Sequence, residues 1–295
     1  MNAPAPEVLR LRDGRRIEFA RYGAESGPTG VFFHGFIGSH HQASFAHEAA
    51  LRHGLRLIAP NRPYVGRTSP VRRDSMAENV ADVAALAGAL GLGRFAVMGV
   101  SGGVPYALAC LARMPQRARV GVLISGLGPV GEPGVLARMS PTSRRTMQLG
   151  HRFPCLMRAL IALRKLQVRA DPEAYLAHLI RGWSVTDGEV FRRPDVRKAL
   201  LGDVLKVFVE GAPEEGMSQE LRLYFRWGFR LGDVAAGAKV LLWHGRDDVV
   251  VPPAMTLHAA RRLPGSEVTL LPGGHFRVIG HAEELVRRTR QALGD

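Results

Sequence analysis

Short apolar runs alternate along the chain with longer stretches of helical periodicity. Gly30-Val31-Phe32-Phe33 is apolar at every position, as in a strand covered on both faces, and it runs into His34-Gly35-Phe36. Leu55–Ala59 (ending at Pro60), Arg94–Val100, Val120–Ile124, Lys239–Trp243 and Val268–Leu271 read as further strands. Between them Ser75–Leu90 carries apolar residues at helical spacing. Ser75 is placed to cap it ahead of Glu78, and Gly91 and Gly93 stop it. Gly102–Ala112 and Glu283–Leu293 read as helices, and Val8–Arg12 and Arg16–Tyr22 flank Asp13-Gly14 as a hairpin. This alternation predicts an α/β domain with a mostly parallel sheet flanked by helices.

The pattern changes from Leu127 to Asp233, where helical periodicity continues without a clear buried strand. The spacing predicts one sheet domain, residues 1–127 and 234–295, split by a helical cap inserted at residues 128–233. Within the insertion, Leu156, Leu160 and Leu163 share one helix face, and Arg158, Arg164 and Lys165 lie away from it. That segment reads as a cap helix with a solvated basic face. Contact with an anionic membrane is the weaker alternative.

Length and composition bound the rest. The chain has 295 residues, 46% of them hydrophobic, which suits one globular α/β domain. No apolar stretch is long enough to span a bilayer, and Met1–Gly14 has no secretory h-region, so a cytoplasmic protein without stable membrane insertion is expected. Two cysteines, Cys110 and Cys155, do not make a disulfide framework, and no Cys/His spacing suggests a metal site. The formal charge of +14 comes almost wholly from scattered arginines, the lysines being Lys165, Lys198, Lys206 and Lys239. Without an accompanying nucleic-acid motif this balance predicts no nucleic-acid partner.

Gly99-Val100-Ser101-Gly102-Gly103 fits G-x-S-x-G between a strand and a helix. A serine on so sharp a turn has its hydroxyl held above the sheet edge, and Gly99 and Gly103 leave room for the crossing backbone. The Gly102 N–H at the helix start is placed to stabilise an oxyanion. A serine needs a base. His275, in the Pro272-Gly273-Gly274 loop after a strand, is the candidate among eleven histidines. His258 and His281 are expected on helix surfaces, and His40, His41, His47 and His53 in solvent or local packing. Asp247 and Asp248 follow the strand ending at Trp243. Asp248, nearer the apolar Val249–Val251, is the preferred orienting acid, with Asp247 a turn residue.

Taken together, His34-Gly35-Phe36, Asn61–Ser69, Gly99–Gly103, His244–Asp248 and Gly273–His275 resemble the α/β-hydrolase superfamily, in its order Ser, Asp, His. The resemblance implies a catalytic triad of Ser101, Asp248 and His275. It also implies an oxyanion hole formed by the N–H groups of Phe36 and Gly102, with His34 bracing the loop or lining the pocket. Three departures matter. Asn61 replaces a frequent Asp in a segment that braces a loop. A serine nucleophile disfavours epoxide opening and dehalogenation. Gly102 stands where many esterases have a bulkier side chain.

The pocket is less defined. Tyr224, Trp227 and Phe276 are candidate lining residues, although the aromatics of Leu221–Phe229 equally suit anchoring of the insertion. The expected activity is hydrolysis of a small carboxylic ester or related acyl substrate through an acyl-enzyme, with no cofactor and no metal. Acyl transfer, and amide or C–C cleavage, fit the same three residues. A ligand-binding protein without turnover and a nucleic-acid binder are the readings from other classes.

Overall fold

The computed structural model describes residues 4–181 and 183–294; Met1–Ala3, Gly182 and Asp295 lie outside them. Eight strands form one sheet: β1 (Glu7–Arg10), β2 (Arg16–Gly23), β3 (Thr29–Phe33), β4 (Arg56–Pro60), β5 (Phe95–Val100), β6 (Ala118–Ile124), β7 (Lys239–Gly245) and β8 (Glu267–Leu271). Their order is β1-β2-β4-β3-β5-β6-β7-β8. The hairpin pairs Arg10 with Arg16, and β2 pairs antiparallel with β4; every other pairing is parallel.

The period of two along each strand sorts side chains into two apolar layers. Val31 and Phe33, Phe95 and Val97, Val240 and Leu242 enter one layer, with Val83 of α2 (Val80–Ala89), Leu108 of α3 (Val104–Arg113) and Met255 of α10 (Pro253–Ala260). Phe32, Ala96, Met98, Leu241 and Trp243 enter the other, with Ala50 of α1 (His47–Arg52) and Val286 of α11 (Ala282–Gly294). Both faces are therefore covered, which explains why the central strands lack alternation in the sequence. Ahead of α2, Glu78 Oε1 accepts the Ser75 N–H at 2.9 Å, as the cap signature predicts.

Between β6 and β7 lie α4 (Pro141–Arg152), α5 (Pro154–Ala170), α6 (Pro172–Ile180), α7 (Val185–Phe191), α8 (Pro194–Phe208) and α9 (Pro213–Leu223). Among the described residues this stretch contains no strand. Its apolar side chains, Met157, Ile161, Val204 and Leu221 among them, are continuous with the α2–α3–α10 layer.

Two expectations fail. The solvated side of α5 carries leucines, not the basic residues alone: Leu156, Leu160 and Leu163 are exposed, and Met157, Ile161 and Val168 form the buried side. The Leu156-Leu160-Leu163 spacing marks a face, but a second apolar row on the same helix occupies the core. His258 is buried rather than on a surface, because its Nε2 lies 2.9 Å from Glu132 Oε2 across the start of the insertion.

The chain leaves β3 toward β4 on one side and leaves β5 toward β6 on the other. The carboxyl ends of β3 and β5 thus flank a topological switch point, where open α/β sheets form their ligand sites. His34–Phe36 and Ser101 sit at those two ends.

Candidate active site

Ser101 follows β5 directly and has φ of +53°, in the left-handed region that a non-glycine residue enters only under constraint. The constraint is the crossing of α3 over the end of β3. A Cβ at Gly103 would lie 2.2 Å from the Phe33 carbonyl oxygen, so only glycine permits this approach. The single 3₁₀ turn Ser101–Gly103 then leads into α3, with Pro105 in its first turn.

His275 is buried and anchored to the neighbouring strand end. Ser125, just after β6, donates its hydroxyl to the His275 carbonyl at 2.9 Å, and Leu127 N–H donates to the Ser101 carbonyl at 3.1 Å. One short loop therefore holds both chain segments. His275 Nδ1 lies 2.6 Å from Asp248 Oδ2. With the carboxylate as acceptor, the ring proton is on Nδ1 and Nε2 is left as the basic nitrogen. Among the described residues no hydrogen bond within 3.5 Å joins His275 to Ser101 Oγ. Such contacts are commonly long without substrate and tighten in the complex.

Asp248 is fully engaged. Oδ1 accepts the N–H groups of Val250 and Val251, both at 2.8 Å. Oδ2 also faces His244 Nε2 at 3.0 Å, and that nitrogen lies 2.8 Å from the Val251 carbonyl. Two acceptors at Nε2 make it the protonated nitrogen, and His244 Nδ1 accepts from Thr256 Oγ1 at 2.6 Å. Burial opposes the charge on Asp248, but His275 and His244 outweigh it and hold the carboxyl far below its ordinary range. Burial likewise opposes charge on His275, yet Asp248 raises its pKa above the usual imidazole value. Asp247 is exposed and closes the turn instead: its Oδ2 accepts the Gly273 N–H at 3.0 Å.

The Phe36 N–H stands beside Gly102: a Cβ built on Gly102 would be 3.3 Å from Phe36 N. The loop is held by carbonyls turned the other way. Arg62, 4% exposed, donates to the carbonyls of His34 (2.9 Å), Gly35 (2.5 Å) and Phe36 (3.3 Å). Five guanidinium donors in one plane suit this task, and Glu220 Oε1 at 2.7 Å balances the buried charge. Burial pushes Glu220 up to about 7, Arg62 pulling the other way.

The pocket candidates divide. His34 is fully buried and braces the loop: its Nε2 accepts the Arg62 N–H at 3.2 Å and its Nδ1 faces the Gly35 carbonyl at 3.0 Å. Burial keeps its pKa well below the ordinary value, so it is neutral. Tyr224 donates to Glu220 Oε1 at 2.6 Å, and its hydroxyl fills the space that a side chain at residue 102 would take, 2.1 Å from a Cβ there. The departure at Gly102 is thus matched by a tyrosine reaching in from the end of α9. Trp227 stands apart. It stacks on Phe229 with ring centroids 5.1 Å apart and lines a cleft of about 670 Å³ with Tyr224, Glu132 and Arg230, and Ser101, Asp248 and His275 are not among the residues lining that cleft. Phe276 adjoins His275, edge-on to its ring, and is stacked on Trp183 at 4.6 Å.

Three buried acids that the sequence pattern does not single out come from the insertion, each to a different place. Glu220 of α9 serves Arg62. Asp203 of α8 accepts from Ser39 Oγ (2.6 Å) and Gln42 Nε2 (2.8 Å), and Gln42 Oε1 in turn accepts the Gly35 N–H at 2.8 Å. Asp187 of α7 accepts the N–H groups of His275 (3.0 Å) and Phe276 (2.7 Å), beside Thr186 Oγ1, which accepts that of Gly274 (2.9 Å). Asp187→Asn would turn an amide N–H₂ toward these donors. We expect it to lower stability by roughly 1–3 kcal/mol and kcat/KM with it, read by urea unfolding and ester kinetics. An unchanged midpoint and rate would count against this clamp.

A family model described as the alpha/beta hydrolase fold matches residues 31–282. The chain belongs to this family. Solved structures similar to this α/β hydrolase include a hydrolase from Pseudomonas aeruginosa PA01, at 17% identity over 100% of both chains with a TM-score of 0.72. An esterase from Thermogutta terrifontis aligns at 19% identity over 98% of each chain with a TM-score of 0.69. The enol-lactonase from Burkholderia xenovorans LB400 aligns at 16% identity, over 98% of this chain and 100% of its own, with a TM-score of 0.70. At these identities the likeness is one of fold. No protein of curated function matches the sequence.

Proposed function

We infer that this α/β hydrolase cleaves a small carboxylic ester or related acyl compound through an acyl-enzyme, with Ser101, His275 and Asp248 as its triad and the insertion as its cap. The observation that carries this reading is the 2.6 Å contact from Asp248 Oδ2 to His275 Nδ1, at the sheet edge where Ser101 occupies a left-handed turn.

In this mechanism Ser101 Oγ attacks the carbonyl carbon as its proton passes to His275 Nε2. The oxyanion points at the N–H groups of Phe36 and Gly102, which are fixed before substrate arrives and need no reorganisation. Asp248 stabilises the imidazolium without taking its proton. The alcohol leaves with the proton from Nε2. Water, deprotonated at the same nitrogen, then cleaves the acyl-serine ester, releases the acid and restores the hydroxyl. Tyr224 closes the space beyond Gly102, which favours a short acyl group there.

The test is a p-nitrophenyl ester series from acetate to octanoate. Turnover is expected on acetate and butyrate, falling for longer chains, with a burst of p-nitrophenolate if deacylation is slower than acylation. No turnover on any member would remove the esterase reading. Equal rates along the series would remove the short-acyl assignment.

A further inference from the structure

Helix α5 is apolar on two sides. Its inner row, Met157, Ile161 and Val168, packs into the protein. Its outer row, Leu156, Leu160, Leu163 and Leu166, with Phe153 just ahead of the helix, is between 41% and 62% exposed. At about 100° per residue the four leucines lie within one arc and run some 15 Å along the helix. Arg164 borders the arc on one edge, Arg158 and Arg169 on the other, and all three are exposed. From residue 133 to residue 170 the sequence has eight Arg or Lys and no Asp or Glu. A soluble surface rarely presents an apolar stripe of this extent without a use for it.

We propose that the outer face of α5 docks the protein on an anionic phospholipid bilayer. Charge decides among occupants. A second copy meeting this face across a two-fold axis would set these arginines against their own kind, with no acid in the segment to pair them. A nucleic acid would pair with the arginines but offer nothing to five apolar side chains. A bilayer surface takes both: the apolar row enters the headgroup–acyl boundary and the bordering arginines meet lipid phosphates. Docking leaves α5 on the protein. Lys165 Nζ pairs with Glu214 at 3.0 Å and Ser218 Oγ donates to the Pro154 carbonyl at 3.3 Å, both from α9. The attachment is peripheral, and among the described residues no helix is long and apolar enough to cross a membrane.

The test is co-sedimentation of the full chain with phosphatidylcholine vesicles and with vesicles containing about one-third phosphatidylglycerol. Binding is expected to be roughly tenfold or more tighter on the anionic vesicles, and to weaken with salt. Leu156→Ser/Leu160→Ser/Leu163→Ser should reduce it by roughly tenfold or more with unchanged circular dichroism, since these side chains are already exposed. Arg158→Gln/Arg164→Gln/Arg169→Gln should erase the preference for anionic lipid. Equal binding to both vesicles, or binding untouched by the leucine changes, would overturn the proposal. So would a dimer in sedimentation velocity, lost in the leucine variant, without vesicle binding. The readout is independent of catalysis, so it stands or falls apart from the esterase assignment.

Discussion

Replacing Ser101 with alanine is expected to abolish covalent labelling by a fluorophosphonate and to lower ester turnover by roughly 10⁴–10⁶-fold. The effect should be confined to chemistry. Alanine keeps the methylene that the +53° turn already accommodates, so the strand-to-helix crossing survives and the unfolding midpoint should barely move. What disappears is the one oxygen that the turn lifts above the ends of β3 and β5. In the proposed mechanism, the residual rate comes from the amides of Phe36 and Gly102, left to polarise a bound carbonyl for attack by water. Stoichiometric labelling of the Ser101→Ala protein would place the nucleophile elsewhere and end the triad assignment.

Asp248→Asn is expected to cost about 10⁴-fold in kcat, and Asp247→Asn little. The two neighbours differ in what they hold. Asp248 meets His275 at 2.6 Å and fixes its proton on Nδ1, whereas Asp247 binds a backbone amide in an exposed turn. An asparagine at 248 can turn its N–H₂ toward the ring and favour the tautomer whose Nε2 is already protonated. The pH profile supplies a second readout. Because Asp248 raises the His275 pKa, kcat/KM of the native protein should rise through an inflection above about 6.5, the ordinary imidazole value. In Asp248→Asn that inflection should move down, since burial is then opposed only by the more weakly acting Asp187. The same pair links to stability. The depressed carboxyl contributes above the ordinary carboxylate range and is lost as pH falls. The raised imidazole contributes below its unfolded pKa and is lost as pH rises through the folded one. A larger loss in Asp247→Asn than in Asp248→Asn would reverse the assignment.

The sheet was legible because its chemistry is local. Continuous apolar runs, the Ser75–Glu78 cap and the glycines about Ser101 each report on a few adjacent residues, and the strands fall within a residue or two of their expected positions. The stretch between β6 and β7 was legible as helical but not in its orientation. Two apolar rows on α5 satisfy the same periodicity, and only tertiary packing selects Met157, Ile161 and Val168 as the buried one. Asp187, Asp203 and Glu220 were invisible for a related reason: acids in amphipathic helices ordinarily face water, and nothing nearby in sequence marks these three as buried. Arg62 and His244 lay inside recognised motifs, but their partners are carbonyls and a carboxylate that only the folded chain brings near.

Those three acids have a practical consequence for anyone exchanging modules between proteins of this architecture. The helices between β6 and β7 cannot be treated as a detachable lid, because α7 anchors the His275 loop and α8 and α9 anchor, through Gln42 and Arg62, the His34–Phe36 loop. A graft from another scaffold would need its own acceptors where Asp187 meets the His275 and Phe276 amides and where Asp203 and Glu220 brace the His34–Phe36 loop. Lacking them, a chimera could fold with every reactive group present and still react slowly, its loops correct in sequence but untethered.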